Sequence, residues 1–425
     1  MSAPSTTSPK PGPRRTVIFN VFGHANSGDA VLLETLVDVL RECRPNDVLS
    51  GIAFDPASEE RWMPEIPWAE RIGNTPSRTP LGRLRQLLSL MITALIAVSR
   101  AFLPLRYLLP RRQRLAVESL IDADLAVSCP GGYLEDSNAS YIVNLLSILL
   151  AARLCKRVVL APQSIGPVHS RLGRWLMRRA VHAAHRVFVR EPESLIFIGG
   201  LFPLSERDTA MQKVRLVGDL AFWFRRPHQS PVEEECARLG IDPKRSLLGL
   251  TVVDWNFPRT ADPELARSRY LESLSGLIRH VQAAHSHQIV IFNQVAHDLS
   301  LARELGRRHP GIIIDALERD AGVFSKLIGL CDVFIGTRFH SCIFALMESV
   351  PTIAVAYLPK TTGIMHDLDL DDLVLDIHHV SGEQFIALFE RAVRDRDEIQ
   401  ARIRRNLYAY RQRHDGFLTY LAHNS

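Results

Sequence analysis

The run Asp332-Val333-Phe334-Ile335-Gly336 is apolar and ends in glycine, and the polar stretch Thr337-Arg338-Phe339-His340-Ser341 follows it directly. The run predicts a buried strand, and the apolar residues after Ser341 predict a helix. A strand that turns into a helix is the repeating unit of α/β folds, whose ligands bind at the carboxyl ends of the strands. An arginine and a histidine at a helix start combine an anion site with a proton carrier.

Similar runs occur on both sides of this stretch, and helical patterns separate them. This alternation predicts parallel sheets in an α/β protein. The first half contains strand candidates at Thr16–Phe22, Val48–Phe54, Asp124–Cys129, Arg157–Ala161, Arg186–Val189 and Val214–Val217. The second half contains candidates at Leu247–Val253, Gln288–Asn293, Ile312–Ile314, Val333–Gly336 and Thr352–Tyr357.

The chain has 425 residues, which is too long for one ordinary core and predicts two or three domains. The alternation breaks between Trp223 and Leu247. We therefore predict two doubly wound, Rossmann-like domains, residues 16–228 and 229–380, that face each other across a cleft in the GT-B manner. Residues 1–15 are predicted to be a disordered tail, and residues 381–425 to be C-terminal helices.

Composition narrows the functional class. Net charge is +5 and charged residues make up 23%, without the basic face or arm expected of a protein that binds nucleic acid. The six cysteines form no C-x-x-C pair, which predicts buried thiols in a reducing, cytoplasmic compartment and no metal site. The basic N-terminus lacks the apolar core of a secretory signal, and no uncharged apolar run approaches the roughly 20 residues needed to span a bilayer.

A helical insertion is predicted in the first domain at about residues 78–116. No acidic residue occurs from Arg71 through Val117, while arginines surround an apolar centre at Leu87–Val98. An apolar body with arginine flanks suits a helix at a membrane surface, so residues 81–114 are candidates for peripheral membrane contact. The alternative is a helical hairpin that covers the sheet, with its arginines in solvent.

Polar and glycine-rich stretches follow several other strands. Asn26-Ser27-Gly28-Asp29 follows the first strand, and its Asp29 can orient a hydroxyl or cap the next helix. Gly131-Gly132 allows close backbone approach after a later strand, with Asp136 as a substrate contact or a cap. Ser164-Ile165-Gly166-Pro167 predicts a tight turn.

Two further cations are expected at strand ends. Arg190 ends one strand and can fork onto a carboxylate or a phosphate. Its alternative role is an ion pair with Glu193 or Asp219. Lys360, after Tyr357, brings another positive charge to the sheet edge that carries Arg338.

These motifs, in this order, resemble the polysaccharide pyruvyltransferase family. The resemblance covers about Val17 to Asp376. Its matching elements are N-x-G-D at Asn26–Asp29, the glycine turn with Asp136, S-I-G-P at Ser164–Pro167, V-R-[DE]-x-x-S at Val189–Ser194, G-x-R-[LF]-H-[SA] at Gly336–Ser341, and Y-x-x-K at Tyr357–Lys360.

The resemblance implies an enzyme that transfers pyruvate from phosphoenolpyruvate to a hydroxyl pair of a saccharide, forms a ketal and releases phosphate. It implies no cofactor and no metal. The acceptor would be a polymeric or lipid-linked glycan, met in the cytoplasm or at the inner face of the cytoplasmic membrane. The implied catalytic residues are His340, Asp29 and Asp136; the donor-binding residues are Arg190, Arg338, Lys360 and Ser341; the substrate-binding residues are Asn26, Gly28, Gly131 and Gly132.

Two other functions remain open at this point. Ala345–Pro351, with Glu348, looks like the helix whose glutamate binds ribose in some nucleotide-sugar glycosyltransferases of the GT-B type. A non-catalytic protein that binds a glycan or a phosphate on the same scaffold is the second alternative, because fold does not fix function.

Overall fold

The computed structural model describes residues 13–24, 26–74, 79–136, 140–225, 232–258, 260–316 and 320–423. The chain forms two compact units. The first comprises Met1–Gly23, Leu36–Leu216 and Phe417–Ser425, and the second comprises His24–Thr35 and Val217–Gly416. Two short segments therefore belong to a different unit from the one that a single break near residue 228 would give them. Of the predicted tail, residues 1–12 lie outside the described part, and Arg15 already begins a strand.

The first unit is built on a parallel sheet with eight strands among the described residues. Its strands are β1 (Arg15–Val21), β2 (Val48–Ala53), β3 (Trp68–Glu70), β4 (Leu125–Ser128), β5 (Gly131–Leu134), β6 (Val158–Ile165), β7 (Arg186–Val189) and β8 (Val214–Leu216). Their order is β3-β2-β1-β4-β6-β7-β8, with β5 also paired to β6. The strands are apolar on both faces because helices cover both sides of the sheet.

Helices that precede the second sheet are α1 (Ser27–Cys43), α2 (Pro56–Trp62), α3 (Pro80–Val98), α4 (Arg111–Ile121), α5 (Tyr141–Leu154), α6 (Arg171–Ala183), α7 (Pro192–Gly199), α8 (Leu204–Met211) and α9 (Val232–Leu239). A 3₁₀ helix, Arg100–Leu108, joins α3 to α4, and a shorter one lies at Leu220–Trp223.

The second unit has a parallel sheet with six strands among the described residues. The strands are β9 (Leu247–Thr251), β10 (Gln288–Phe292), β11 (Ile313–Asp315), β12 (Val333–Gly336), β13 (Thr352–Ala356) and β14 (Val374–Asp376), in the order β11-β10-β9-β12-β13-β14. The remaining helices are α10 (Pro263–Ala283), α11 (Leu299–Arg308), α12 (Ala321–Gly329), α13 (Phe339–Met347), α14 (Pro359–Asp367), α15 (Gly382–Arg394), α16 (Arg396–Arg413) and α17 (Gly416–His423). Short 3₁₀ helices lie at Ala296–Asp298 and Asp371–Leu373.

The prediction of two α/β domains with parallel sheets is confirmed, and so is each of the eleven predicted strands to within a few residues at its ends. Two turn predictions are wrong. Gly131 and Gly132 lie in β5, and Gln163–Ile165 forms the end of β6. The two segments pair with each other, Gly131 with Gln163 and Leu134 with Ile165. Backbone pairing with a neighbouring strand thus overrides the local preference of these glycines for a turn.

The insertion is helical, as predicted, and is formed by α3, the 3₁₀ helix and α4 from residue 79 onward; residue 78 lies outside the described part. Helix α3 packs on α5, and its Ile92 and Ile96 enter the core of the first unit. Its 19 residues are long and apolar enough to cross a bilayer by length and composition, which the search for uncharged runs missed. Only 28% of it is buried.

Candidate active site

The turn between β12 and α13 lies at the carboxyl edge of the second sheet, and buried hydroxyl groups hold its shape. The backbone N–H groups of Thr337 and Arg338 donate to Thr251 Oγ1, at 3.1 and 3.4 Å. Thr251 ends the neighbouring strand β9, so it satisfies donors at the start of α13 that a helix cannot satisfy itself. The Thr337 hydroxyl is 3.0 Å from the Tyr270 hydroxyl.

Ser341 belongs to this scaffold. Its side chain is fully buried, its hydroxyl donates to the Arg338 carbonyl at 2.6 Å, and it lies 2.8 Å from Thr251 Oγ1. A hydroxyl engaged in this way inside the fold supports the turn. We therefore do not retain the donor-binding role predicted for Ser341.

Arg338 is held by a carboxylate that sequence inspection missed. Its Nε and Nη2 atoms donate to the two oxygens of Asp298, at 2.6 and 2.7 Å. The Asp298 side chain is 2% exposed and the Arg338 side chain 21%. Burial opposes the charge of Arg338, but the bonds to Asp298 and contact with Tyr357 outweigh it and raise its pKa. Arg338 is therefore a permanent cation with one edge of its fork already occupied.

Aromatic side chains stand beside this pair. Burial raises the pKa of Tyr357, which keeps its phenol protonated next to Arg338. The Trp255 ring lies 4.8 Å from the Tyr357 ring. Within the described residues, the buried Trp255 Nε1 has no hydrogen-bond partner. Trp255 follows β9 at the same edge of the sheet and offers an apolar face with one open donor.

His340 lies against the amino end of α1, which belongs to the same unit. A Cβ atom placed on Gly28 would be 2.1 Å from His340 Nδ1, so only glycine allows this approach. Asn26 caps the helix by accepting from the Gly28 N–H at 2.9 Å, and its amide donates to Asp29 at 3.3 Å. The capping alternative for Asp29 is thus wrong, because Asn26 is the cap. The amino ends of α1 and α13 meet at His340.

Lys360 lies in the first turn of α14, after β13. Its ammonium is 5.2 Å from the centre of the Phe339 ring, a distance at which a cation is attracted by an aromatic face. Phe339 also contacts the His340 ring edge-on at 5.1 Å. The predicted cations Arg338 and Lys360 and the predicted acid/base His340 are therefore held by consecutive residues of one turn.

The remaining predicted residues belong to the first unit. Arg190 is almost fully buried and donates from Nε to the Ser164 hydroxyl at 2.8 Å. An ion pair joins it to Glu191 at 3.4 Å, whereas the sequence suggested Glu193 or Asp219. Gly132 lies beside it, because a Cβ there would be 3.5 Å from Arg190 Nη2. These residues form a polar cluster at the ends of β5, β6 and β7.

Asp136 neither caps the following helix nor lies free in solvent. Its carboxylate accepts from the backbone N–H of His169 at 2.7 Å, and α5 begins only at Tyr141. Asp136 therefore joins two loops of the first unit. A role in catalysis stays a prediction.

The fold and this arrangement define a two-unit α/β enzyme of the GT-B type. The chain belongs to the polysaccharide pyruvyl transferase family, whose model matches residues 26–359. The chain is also 29% identical over 79 residues to the amylovoran biosynthesis protein AmsJ of Erwinia amylovora. That match spans 19% of this chain and 19% of AmsJ, so the activity of the relative remains a proposal for this protein.

Solved structures share the fold at low sequence identity. Anabaena HepE, solved with UDP and glucose, has a TM-score of 0.55 at 12% identity and covers 97% of this chain and 98% of its own. A putative UDP-N-acetylglucosamine 2-epimerase from Listeria monocytogenes has a TM-score of 0.58 at 12% identity, with 92% and 91% covered. At such identities the likeness concerns the fold and not the ligand.

Proposed function

We propose that this protein transfers pyruvate from phosphoenolpyruvate to a pair of hydroxyls on a saccharide, forms a cyclic ketal and releases phosphate. Membership of the family supports pyruvyl transfer on a polysaccharide. The donor and the ketal are the finer part of the proposal. The observation that carries them is the single turn that presents Arg338, His340 and, through Phe339, Lys360 at the carboxyl edge of the second sheet.

The charges of this turn suit a donor with a phosphate and a carboxylate. Asp298 uses two of the five N–H donors of Arg338, which leaves the opposite edge of the guanidinium for an anion. Lys360 adds a compact positive charge. The amino ends of α1 and α13 add oriented N–H groups, which favour bound anions.

His340 suits the proton transfers that the reaction needs. A proton must be added to the methylene carbon of the donor while an acceptor oxygen bonds to the neighbouring carbon. The second hydroxyl then displaces phosphate and closes the ketal, and its proton leaves with a base. An imidazole can donate the first proton and accept the second, because its ordinary pKa is near 6.5. Asp29, in the first turn of α1, is the carboxylate proposed to stabilise positive charge at the ketal carbon.

The acceptor in this proposal is a surface glycan on a lipid carrier, and the protein works in the cytoplasm at the inner face of the membrane. The test is incubation of the purified protein with phosphoenolpyruvate and candidate lipid-linked glycans. Mass spectrometry should detect an added pyruvate, and an equal amount of phosphate should be released. Turnover with a nucleotide sugar, and none with phosphoenolpyruvate, would reject the proposal.

His340→Ala gives the matched test of mechanism. Turnover should fall by about 10²–10⁴-fold, the usual contribution of a positioned acid/base. The melting temperature should change little, since the ring is only half-buried. A large drop in melting temperature would instead make His340 a packing residue.

The rival glycosyltransferase function is disfavoured by the position of Glu348. This residue caps the far end of α13, away from Arg338 and His340, and its carboxylate accepts from Ser325 at 3.0 Å and Lys326 at 2.9 Å. A glutamate that binds a nucleotide ribose would need to reach the carboxyl edge of the sheet. Glu348 is instead engaged with α12.

A further inference from the structure

Helix α3 exposes its large apolar residues and buries small and polar ones. The buried face includes Gly82, Ser89 and Thr93. The exposed apolar side chains are Leu81, Leu84, Leu87, Leu88, Met91 and Val98, which are 45–70% exposed. A surface helix of a globular protein usually shows the opposite distribution. A contiguous apolar surface of this kind marks an interaction site.

The apolar surface continues beyond α3. Phe102, Tyr107 and Leu108 of the 3₁₀ helix are also exposed, as is Leu115 of α4. We call these ten side chains the leucine face. All of them lie in the first unit, on the insertion between β3 and β4.

Positive charge borders the leucine face. At about 100° per residue, the exposed apolar residues of α3 occupy an arc of about 120°. Arg83 lies on one side of this arc and Arg85 on the other, both exposed. Arg83, Arg85 and Arg111 form no ion pair with any residue that the structure describes. Since no acidic residue occurs from Arg71 through Val117, these charges are not neutralised locally.

We propose that the leucine face binds the surface of an anionic lipid bilayer, with α3 lying in the interface. Apolar side chains among acyl tails and arginines at anionic headgroups are what such a helix requires. This proposal does not depend on pyruvyl transfer, because membrane binding is measured without substrate.

Two other occupants fit less well. Spanning the bilayer would tear Ile92 and Ile96 from the core and break the bonds from Arg153 to the carbonyls of Ala97 and Val98, at 3.1 and 2.8 Å. A symmetric contact with a second copy would bring the same arginine border onto itself, because both copies use the same patch. Like charges would then face each other. An anionic surface removes that conflict.

The experiment is co-flotation of the full-length protein with two kinds of vesicle, phosphatidylcholine alone and phosphatidylcholine mixed with phosphatidylglycerol. We expect binding to the anionic vesicles only, weakened by salt. Arg83→Gln/Arg85→Gln should weaken binding about thirtyfold, at about fivefold per arginine. Leu87→Glu/Met91→Glu should abolish it. The matched control is Ile196→Glu/Leu204→Glu, two side chains of the same unit that are 75% and 79% exposed on other helices, and it should bind like the wild type.

Several results would overturn the proposal. Absence of binding to anionic vesicles, or equal loss in the control variant, rejects the leucine face as the contact. Resistance to extraction with alkaline carbonate shows a helix that spans the membrane. A dimer that Leu87→Glu/Met91→Glu dissociates, without vesicle binding, assigns the face to a second copy. Circular dichroism melting checks that each variant is folded, which is expected because every changed residue is exposed.

Discussion

Asp298→Asn should destabilise the second unit by leaving the Arg338 guanidinium without its counter-charge. The carboxylate accepts two bonds from Arg338, at 2.6 and 2.7 Å, and one from the backbone N–H of Asp254 at 2.9 Å. Asparagine keeps one acceptor oxygen, which can still serve one of these donors. The negative charge and one arm of the fork are lost.

The size of the effect follows from burial. Loss of one partner of a fully buried ion pair costs about 3–5 kcal/mol, because the other charge stays buried and unpaired. The Arg338 side chain is 21% exposed, so water compensates part of the loss and we expect about 2–3 kcal/mol. For a unit of about 200 residues this lowers the melting temperature by about 4–12 °C.

The assay is differential scanning calorimetry of the full chain, beside a matched control. Asp332→Asn is that control, since Asp332 also accepts one backbone N–H, from Leu247 at 2.8 Å, and pairs with one arginine, Arg396, at 2.7 Å. The Asp332 pair is more exposed, at 20% and 44%, so its loss should cost at most about 1 kcal/mol. Equal shifts in the two variants would refute the claim that burial sets the strength of the Asp298 pair.

A double variant separates an unpaired charge from a general loss of packing. Asp298→Asn combined with Arg338→Met removes both charges and should be more stable than the sum of the two single changes predicts, because no unpaired charge remains. Strict additivity would mean that the two side chains do not depend on each other. In the proposed reaction, Asp298→Asn should also raise KM for phosphoenolpyruvate more than KM for the acceptor.

Two further predictions concern the same turn. Gly28→Ala should lower kcat by at least about tenfold with little change in melting temperature, because its Cβ would lie 2.1 Å from His340 Nδ1 and displace the ring; kinetics and thermal melting check this, and an unchanged kcat would mean that the ring position is unimportant. Ser341→Ala should lower the free energy of unfolding by about 1–3 kcal/mol, since it removes a buried hydrogen bond to Thr251. A raised KM for the donor at unchanged stability would restore the donor-binding role of Ser341.

Much of the site edge could be predicted because the signals are local. An apolar run that ends in glycine marks a buried strand, and polar residues directly after it mark the ligand edge of a parallel sheet. This reasoning found Arg338, His340 and Lys360, which the structure places around one turn. Asp298 follows the predicted strand Gln288–Asn293 by five residues, so a wider search after each strand could have included it.

Other errors came from contacts that local patterns do not contain. The glycine pair at residues 131–132 predicts a turn locally, but pairing with β6 makes it a strand. The stretch Asn26–Asp29 was assigned to the first domain by its place in the chain, whereas it belongs to the second unit. The apolar pattern of α3 did not reveal that its leucines face outward, since both faces contain apolar residues.

The sequence by itself determined the α/β class, the parallel sheets and the residue types at the strand ends, because strand length, helix periodicity and glycine position act over a few neighbouring residues. Only the tertiary structure decided which partner each polar group has. Asp298 and Arg338 are 40 residues apart in the chain, and Thr251 and Ser341 are 90 apart. Gly28 and His340 meet across most of the chain. Such pairs depend on the packing of whole elements, which gives each of these groups the bonds that define its role.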